Sequence, residues 1–169
     1  MYRSRAEQMA PQQPAITLTD LECRIATNAG RVIHNQHKNN GTPDKKITPK
    51  DGLKILIDGI AAEMAIARLL NIYPLTMTGE VKIHDLIKDG MTIDVKNAYG
   101  KNHGLLVPIH KFNEGKTCDI YVLTIGEMPH FEFKGFAFSQ QVFTKENITD
   151  LGYGPTYLLD QWKLSKHLP

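Results

Sequence analysis

His84-Asp85-Leu86-Ile87-Lys88-Asp89-Gly90-Met91-Thr92-Ile93-Asp94-Val95-Lys96 is the stretch from which the fold can be read. Asp89-Gly90 is a strong hairpin signal, because a two-residue type I′ turn needs positive φ at both positions. With those two residues as the turn, Lys88 faces Met91, Ile87 faces Thr92, and Asp85 falls opposite Asp94. Strand side chains alternate between faces, so Lys96 shares a face with Asp94. The hairpin therefore gathers two carboxylates and one ammonium on one patch. Like charges placed opposite each other destabilise a strand pair. Lys96 relieves part of that repulsion, and a hard divalent cation would relieve more, since Mg²⁺ favours one or two carboxylates plus water. A solvated hairpin face is the plainer alternative.

Upstream, Thr19-Asp20-Leu21-Glu22 is a capping box. It opens a helix in which Leu18, Leu21, Ile25, Ala29 and Val32 keep helical spacing up to the Asn39-Asn40-Gly41 stop. His34 and His37 lie near its end, where cationic side chains suit the helix dipole, and they read as surface or DNA-backbone contacts rather than metal ligands. Thr48-Pro49-Lys50-Asp51 opens a second helix that runs to Leu70 and stops before Tyr73-Pro74. On it Glu63 has Gly59, Ile60, Ile66 and Ala67 for neighbours, and a carboxylate on a packed face must be paired, protonated or metal-bound.

Downstream of the hairpin, residues 99–104 form a polar, mobile-looking loop in which Lys101 and His103 are candidate phosphate contacts. Leu105-Leu106-Val107 then reads as a strand, and Cys118–Ile125 as a near-continuous apolar, central one. Phe131 and Phe133 change phase with Phe136 and Phe138 at Gly135, which predicts a bulge. Val142-Phe143 and residues 155–167 read as helical, the latter packing through Leu158, Leu159 and Trp162. The order is that of an α/β (α+β) domain around a central mixed sheet.

At 169 residues the chain suits one domain. Residues 1–15 read as a disordered arm. Residues 16–169 form the domain, divided into a helical part (16–47), a core (48–138) and a helical C-terminal part (139–169). No membrane-spanning run or signal peptide is evident, and Cys23 and Cys118 read as free thiols of a reducing compartment, so a cytoplasmic protein is expected. The net charge of +2 is unevenly placed: residues 1–50 hold eight Lys/Arg, among them Arg31, Lys38, Lys45 and Lys46, against four acids. A basic first segment beside an acidic centre suits a phosphodiester-directed protein, with cations for the backbone and carboxylates for metal.

The ordered set Gly59-x-x-x-Glu63, Asp85, a turn, Asp94-Val95-Lys96 and an Asp119-containing strand resembles the PD-(D/E)XK nuclease superfamily over residues 59–138. It is similar to small phage-encoded nucleases of that group. His84 stands where the motif has Pro, and Asp94 replaces the commoner Glu. Asp89 is the fallback for Asp85, less suitable because Asp-Gly makes the turn. The resemblance implies a restriction-endonuclease-like core and metal-dependent DNA endonuclease activity. In it Asp85, Asp94 and the Val95 carbonyl hold Mg²⁺ or Mn²⁺, Glu63 completes that site or holds a second ion, and Lys96 assists the attacking water. By analogy it also implies a homodimer or higher homo-oligomer in the host cytoplasm. A Holliday-junction resolvase of the same fold, and a catalytically silent DNA-binding or assembly module, are the alternatives.

Overall fold

The computed structural model describes residues 14–40, 51–72, 84–152 and 154–167. Residues 1–13, residues 41–50 with Lys45, Lys46 and Thr48-Pro49-Lys50, and Tyr73-Pro74 lie outside the described residues. The elements are β1 (Ala15–Thr17), α1 (Asp20–Asn39), α2 (Gly52–Leu69), β2 (Leu86–Lys88), β3 (Met91–Ala98), β4 (Leu105–Pro108), α3 (Ile109–Asn113), β5 (Ile120–Glu127), β6 (His130–Phe138), α4 (Ser139–Val142), β7 (Ile148–Asp150) and β8 (Pro155–Leu159). Short 3-10 turns cover Lys145–Asn147 and Gln161–Lys163.

The result is a mixed α/β architecture with a mixed five-stranded sheet in the order β1-β6-β5-β3-β2. Only β3 and β5 run parallel, joined through β4 and α3. A second sheet, β4-β8-β7, is antiparallel. Two apolar clusters occupy the two faces of the central sheet. Ile93 and Val95 of β3 and Ile120 and Val122 of β5 join the α1–α2 side chains on one face. Tyr121, Leu123 and Ile125 of β5 join Leu105, Val107, Tyr157 and Leu159 of the second sheet on the other. A strand buried on both faces needs an unbroken apolar run, which β5 supplies.

The hairpin has the predicted register, Leu86↔Ile93, Ile87↔Thr92 and Lys88↔Met91. Asp89 and Gly90 both take positive φ, +50° and +82°, so Asp89 belongs to the turn and is exposed. The predicted bulge is present: Leu123 pairs with Gly135 but Thr124 with Phe133, which leaves Lys134 as the extra residue. Gly135 has φ +132°, and a Cβ there would come within 2.6 Å of the Ser165 carbonyl oxygen.

Several sequence expectations are corrected. The arm ends before Ala15, since Ala15–Thr17 adds to the sheet edge alongside Phe131 and its neighbours. The first helix starts as expected, with both halves of the Thr19–Glu22 capping box formed. Its packed line, however, is Ala26 and Gly30 with Cys23, Ala29 and Ile33 half-buried, while Leu21 and Val32 are exposed. Gly30 is the close-approach point: a Cβ would lie 2.6 Å from Ile57 Cγ1 of α2. The second helix is capped by Asp51, whose side chain accepts the Leu53 N–H at 3.3 Å. Leu105–Pro108 is a strand, but of the second sheet.

Residues 155–167 hold no α-helix, only the 3-10 turn at Gln161–Lys163. Pro155–Leu159 is a strand between β4 and β7, and Trp162 is 77% exposed. Tyr157 and Leu159 face the core two residues apart, a strand period that the compact Leu158-Leu159 pair obscured. The 99–104 loop is tied down, because the Gln161 side-chain amide donates to the Lys101 and His103 carbonyls at 2.7 and 2.8 Å. Both cysteines are free thiols, Cys118 buried and Cys23 half-buried. Among the described residues, no helix is long and apolar enough to cross a membrane.

Candidate metal and phosphate site on the hairpin

Asp85 precedes β2 by one residue yet continues its ladder. Its N–H donates to the Ile93 carbonyl at 2.9 Å, and its Oδ2 accepts the Val95 N–H at 2.7 Å. A carboxylate thus does the work of a backbone carbonyl where β2 has run out, which holds Asp85 beside Asp94. On β3, Ile93 and Val95 join the core beneath the helices, so Asp94 and Lys96 point to the opposite face. There they meet the start of β5, where Tyr121 pairs with Asp94 in register and its hydroxyl accepts the Cys118 N–H at 3.0 Å. Asp119 staples this strand to the hairpin: its carboxylate accepts the Thr92 N–H and hydroxyl, both at 2.8 Å.

Asp94 is 4% exposed. Its Oδ1 touches the Lys96 ammonium as an ion pair but accepts no well-directed hydrogen bond. The Lys96 side chain keeps 29% of its surface, so the pair opens to solvent on the lysine side. Burial and the Asp94 charge together hold the Asp85 carboxyl above the ordinary range, partly countered by the Val95 N–H, Lys96 and Lys111. Burial opposes the Lys96 ammonium, but Asp94 and Asp85 outweigh it and raise its proton affinity. Burial and the same two acids push the Cys118 thiol up to about 12, so it stays protonated at neutral pH. The arrangement is a paired-acid recess with one direct cation.

That donor set fits a hard divalent ion. One buried carboxylate oxygen is met only by the Lys96 ammonium and in poor hydrogen-bond geometry, a second acid lies across the strand pair, and Mg²⁺ takes one or two carboxylates and completes its shell with water. Among the described residues, no three His, Cys, Asp or Glu side chains form a metal-holding group. Glu63 is half-buried on α2, which packs on the face opposite Asp94 and Lys96. The structure therefore brings together Asp85, Asp94, Val95 and Lys96, and leaves Glu63 in a different layer.

Of the candidate nucleic-acid contacts, Lys101, His103, Arg31 and Lys38 are exposed. His37 is also exposed and His34 half-buried. The fold adds residues that the sequence did not single out. Lys111 on α3 is close enough for its charge to act on both Asp85 and Cys118. It belongs to no motif, and only the β3–β5 crossover brings it to the site. The most buried acid of α2 is Asp58, 1% exposed, rather than Glu63. It accepts from Lys54 Nζ at 2.8 Å, the Tyr99 hydroxyl at 2.9 Å and the Met128 N–H at 3.1 Å. Its local signal was the Lys54/Asp58 helical spacing, which usually marks a solvated pair. Compared with known proteins, the chain matches no family model, no curated protein and no solved structure.

Proposed function

We propose that the chain is a metal-dependent DNA endonuclease of the PD-(D/E)XK type, with α2, the β2–β3 hairpin, β5 and β6 as a restriction-endonuclease-like core. One observation carries the reading. Asp85 and Asp94 lie side by side with Lys96 on the same face, and the buried Asp94 Oδ1 is met by the Lys96 ammonium as an ion pair without a well-directed hydrogen bond. Asp85, Asp94 and the Val95 carbonyl would hold the ion. Bound there, Mg²⁺ or Mn²⁺ supplies Lewis acidity toward a phosphoryl oxygen and a more acidic water.

The chain's own groups supply the rest. Asp85 fixes the pair by gripping the Val95 N–H. Lys96 keeps its charge at neutral pH and presents it at the open side of the recess, where a phosphodiester would arrive. A preorganised cation is worth most where negative charge grows on the phosphoryl oxygens. Lys111 adds a second positive charge from α3. Cutting both strands of a duplex needs two such sites, so the proposed active form is a homodimer or higher homo-oligomer.

Purified protein incubated with supercoiled plasmid, single-stranded DNA and a four-way junction, each in Mg²⁺, Mn²⁺ or EDTA, tests the reading. Metal-dependent cleavage that is lost in Lys96→Ala supports it, and selectivity for the junction would specify a resolvase. A silent DNA-binding module is the second reading, favoured by the placement of Glu63 in another layer from the acid pair. Salt-sensitive binding with no cleavage in any metal would establish it instead.

A further inference from the structure

The outward face of α1 carries a cationic stripe that the hairpin site does not use. Arg24, Asn28, Arg31, Asn35 and Lys38 are all exposed. Their four–three–four–three spacing puts them within about 80° of arc on a helix of 3.6 residues per turn. The opposite side of the helix, Ala26, Gly30 and Ile33, is the one packed on α2. From Cys23 to Asn39 the helix has no Asp or Glu. Among the described residues, Arg24, Arg31 and Lys38 pair with no carboxylate. Asp20, four residues before Arg24, marks the acidic start of this face, and Glu22 is held by Thr19 and Arg68.

We infer that this face of α1 docks in the major groove of duplex DNA, an inference that rests on the DNA-directed reading and extends it to a substrate class. The stripe runs about 21 Å along the axis at 1.5 Å per residue, long enough to follow some six base pairs. The major groove of B-DNA admits a helix, and Arg, Lys and Asn are the side chains that pair with purine edges there. Other polyanions fit less well. A-form RNA closes its major groove to side chains. Single strands are held largely by stacking on aromatic rings, and α1 contains no Phe, Tyr or Trp. A helix lying on a membrane needs a free apolar face, and that of α1 is packed against α2.

Fluorescence anisotropy in EDTA, with the intact chain and a labelled duplex, separates binding from cleavage. Single-stranded DNA of the same length and anionic vesicles serve as the competing partners. The triple variant Arg24→Gln/Arg31→Gln/Lys38→Gln alters only exposed side chains, and its melting curve should match wild type. It should bind duplex at least tenfold more weakly, with a salt-dependence slope reduced by about 2–3. Duplex binding unchanged in the triple variant would overturn the inference, as would equal wild-type affinity for vesicles or single strands. A triple variant that loses binding, in a protein whose wild type cuts nothing in any metal, would retain this inference and remove the nuclease.

Discussion

The Asp85 carboxylate accepts the Val95 N–H at 2.7 Å, so one side chain both closes the hairpin ladder and places itself against Asp94. The two duties separate by substitution. Asn can still accept that N–H, whereas Ala leaves it unpaired, at a cost of about 1–3 kcal/mol for a buried donor. Asp85→Ala should therefore melt well below Asp85→Asn. Both should lose the rise in melting temperature that Mn²⁺ gives the wild type, since an ion stabilises only the state that binds it. A full Mn²⁺ shift in Asp85→Asn would remove Asp85 from the ion's ligands.

Lys96 is the cation that touches Asp94 directly. Its removal leaves two neighbouring acids facing each other, a change that destabilises more than the intact pair stabilises. Because the lysine is partly exposed, the cost of Lys96→Ala in EDTA is expected at about 2 kcal/mol, below that of a fully buried pair. A divalent ion should restore more of the melting temperature in this variant than it adds to wild type, while cleavage stays lost. Equal metal shifts in the two proteins would show that ion and ammonium do not share one recess.

Glu63 tests the assignment from the other layer. Since α2 packs on the face opposite Asp94, Glu63→Gln should leave the Mn²⁺-induced melting shift unchanged. Loss of that shift would place the Glu63 carboxylate among the ligands after all.

The hairpin was legible because its determinants are local. Asp-Gly sets the turn, the turn sets the register, and the register sets Asp85 against Asp94. The bulge at Gly135 was legible for the same reason, as a break in the alternation of phenylalanines. Contacts between layers were not. Nothing around Lys111 announces a site, and α1's buried line runs through Ala26 and Gly30 because the approach of Ile57 excludes larger groups. Residues 155–159 look helical by their leucines, but partners on both sides, β4 and β7, make them a strand.

Asp58 shows the energetic weight of what the sequence concealed. Three donors converge on it, and two of them, the Tyr99 hydroxyl and the Met128 N–H, have no charge to attract water once stranded. Asp58→Ala should cost about 2–4 kcal/mol, measured by urea unfolding, and Asp58→Asn less, because an amide oxygen still accepts. The same network holds the Tyr99 phenol above its ordinary range, through burial first and the Asp58 contact second. An Asp58→Ala protein as stable as wild type would mean that the layer joint between α2 and the β5–β6 turn tolerates the loss.

The pH response of the α1 start can be worked out from Glu22. Burial is the largest single influence and raises its carboxyl, but bonds from the Thr19 N–H at 2.6 Å and hydroxyl at 2.8 Å, with the Arg68 charge, together outweigh it and bring it below its ordinary value of 4.5. A carboxyl lowered by folding stabilises the fold fully above its unfolded value, and loses that contribution as pH falls through the folded one. At pH 7 Glu22→Ala should cost about 1 kcal/mol, the usual scale of a capping interaction. As pH falls below 4.5 the gap from wild type should narrow, because the protonated acid no longer attracts Arg68 or the helix N-terminus. Thermal melts of the two proteins across that range measure it. A gap that persists undiminished at pH 3 would assign the effect to packing of the Glu22 stem instead of its charge.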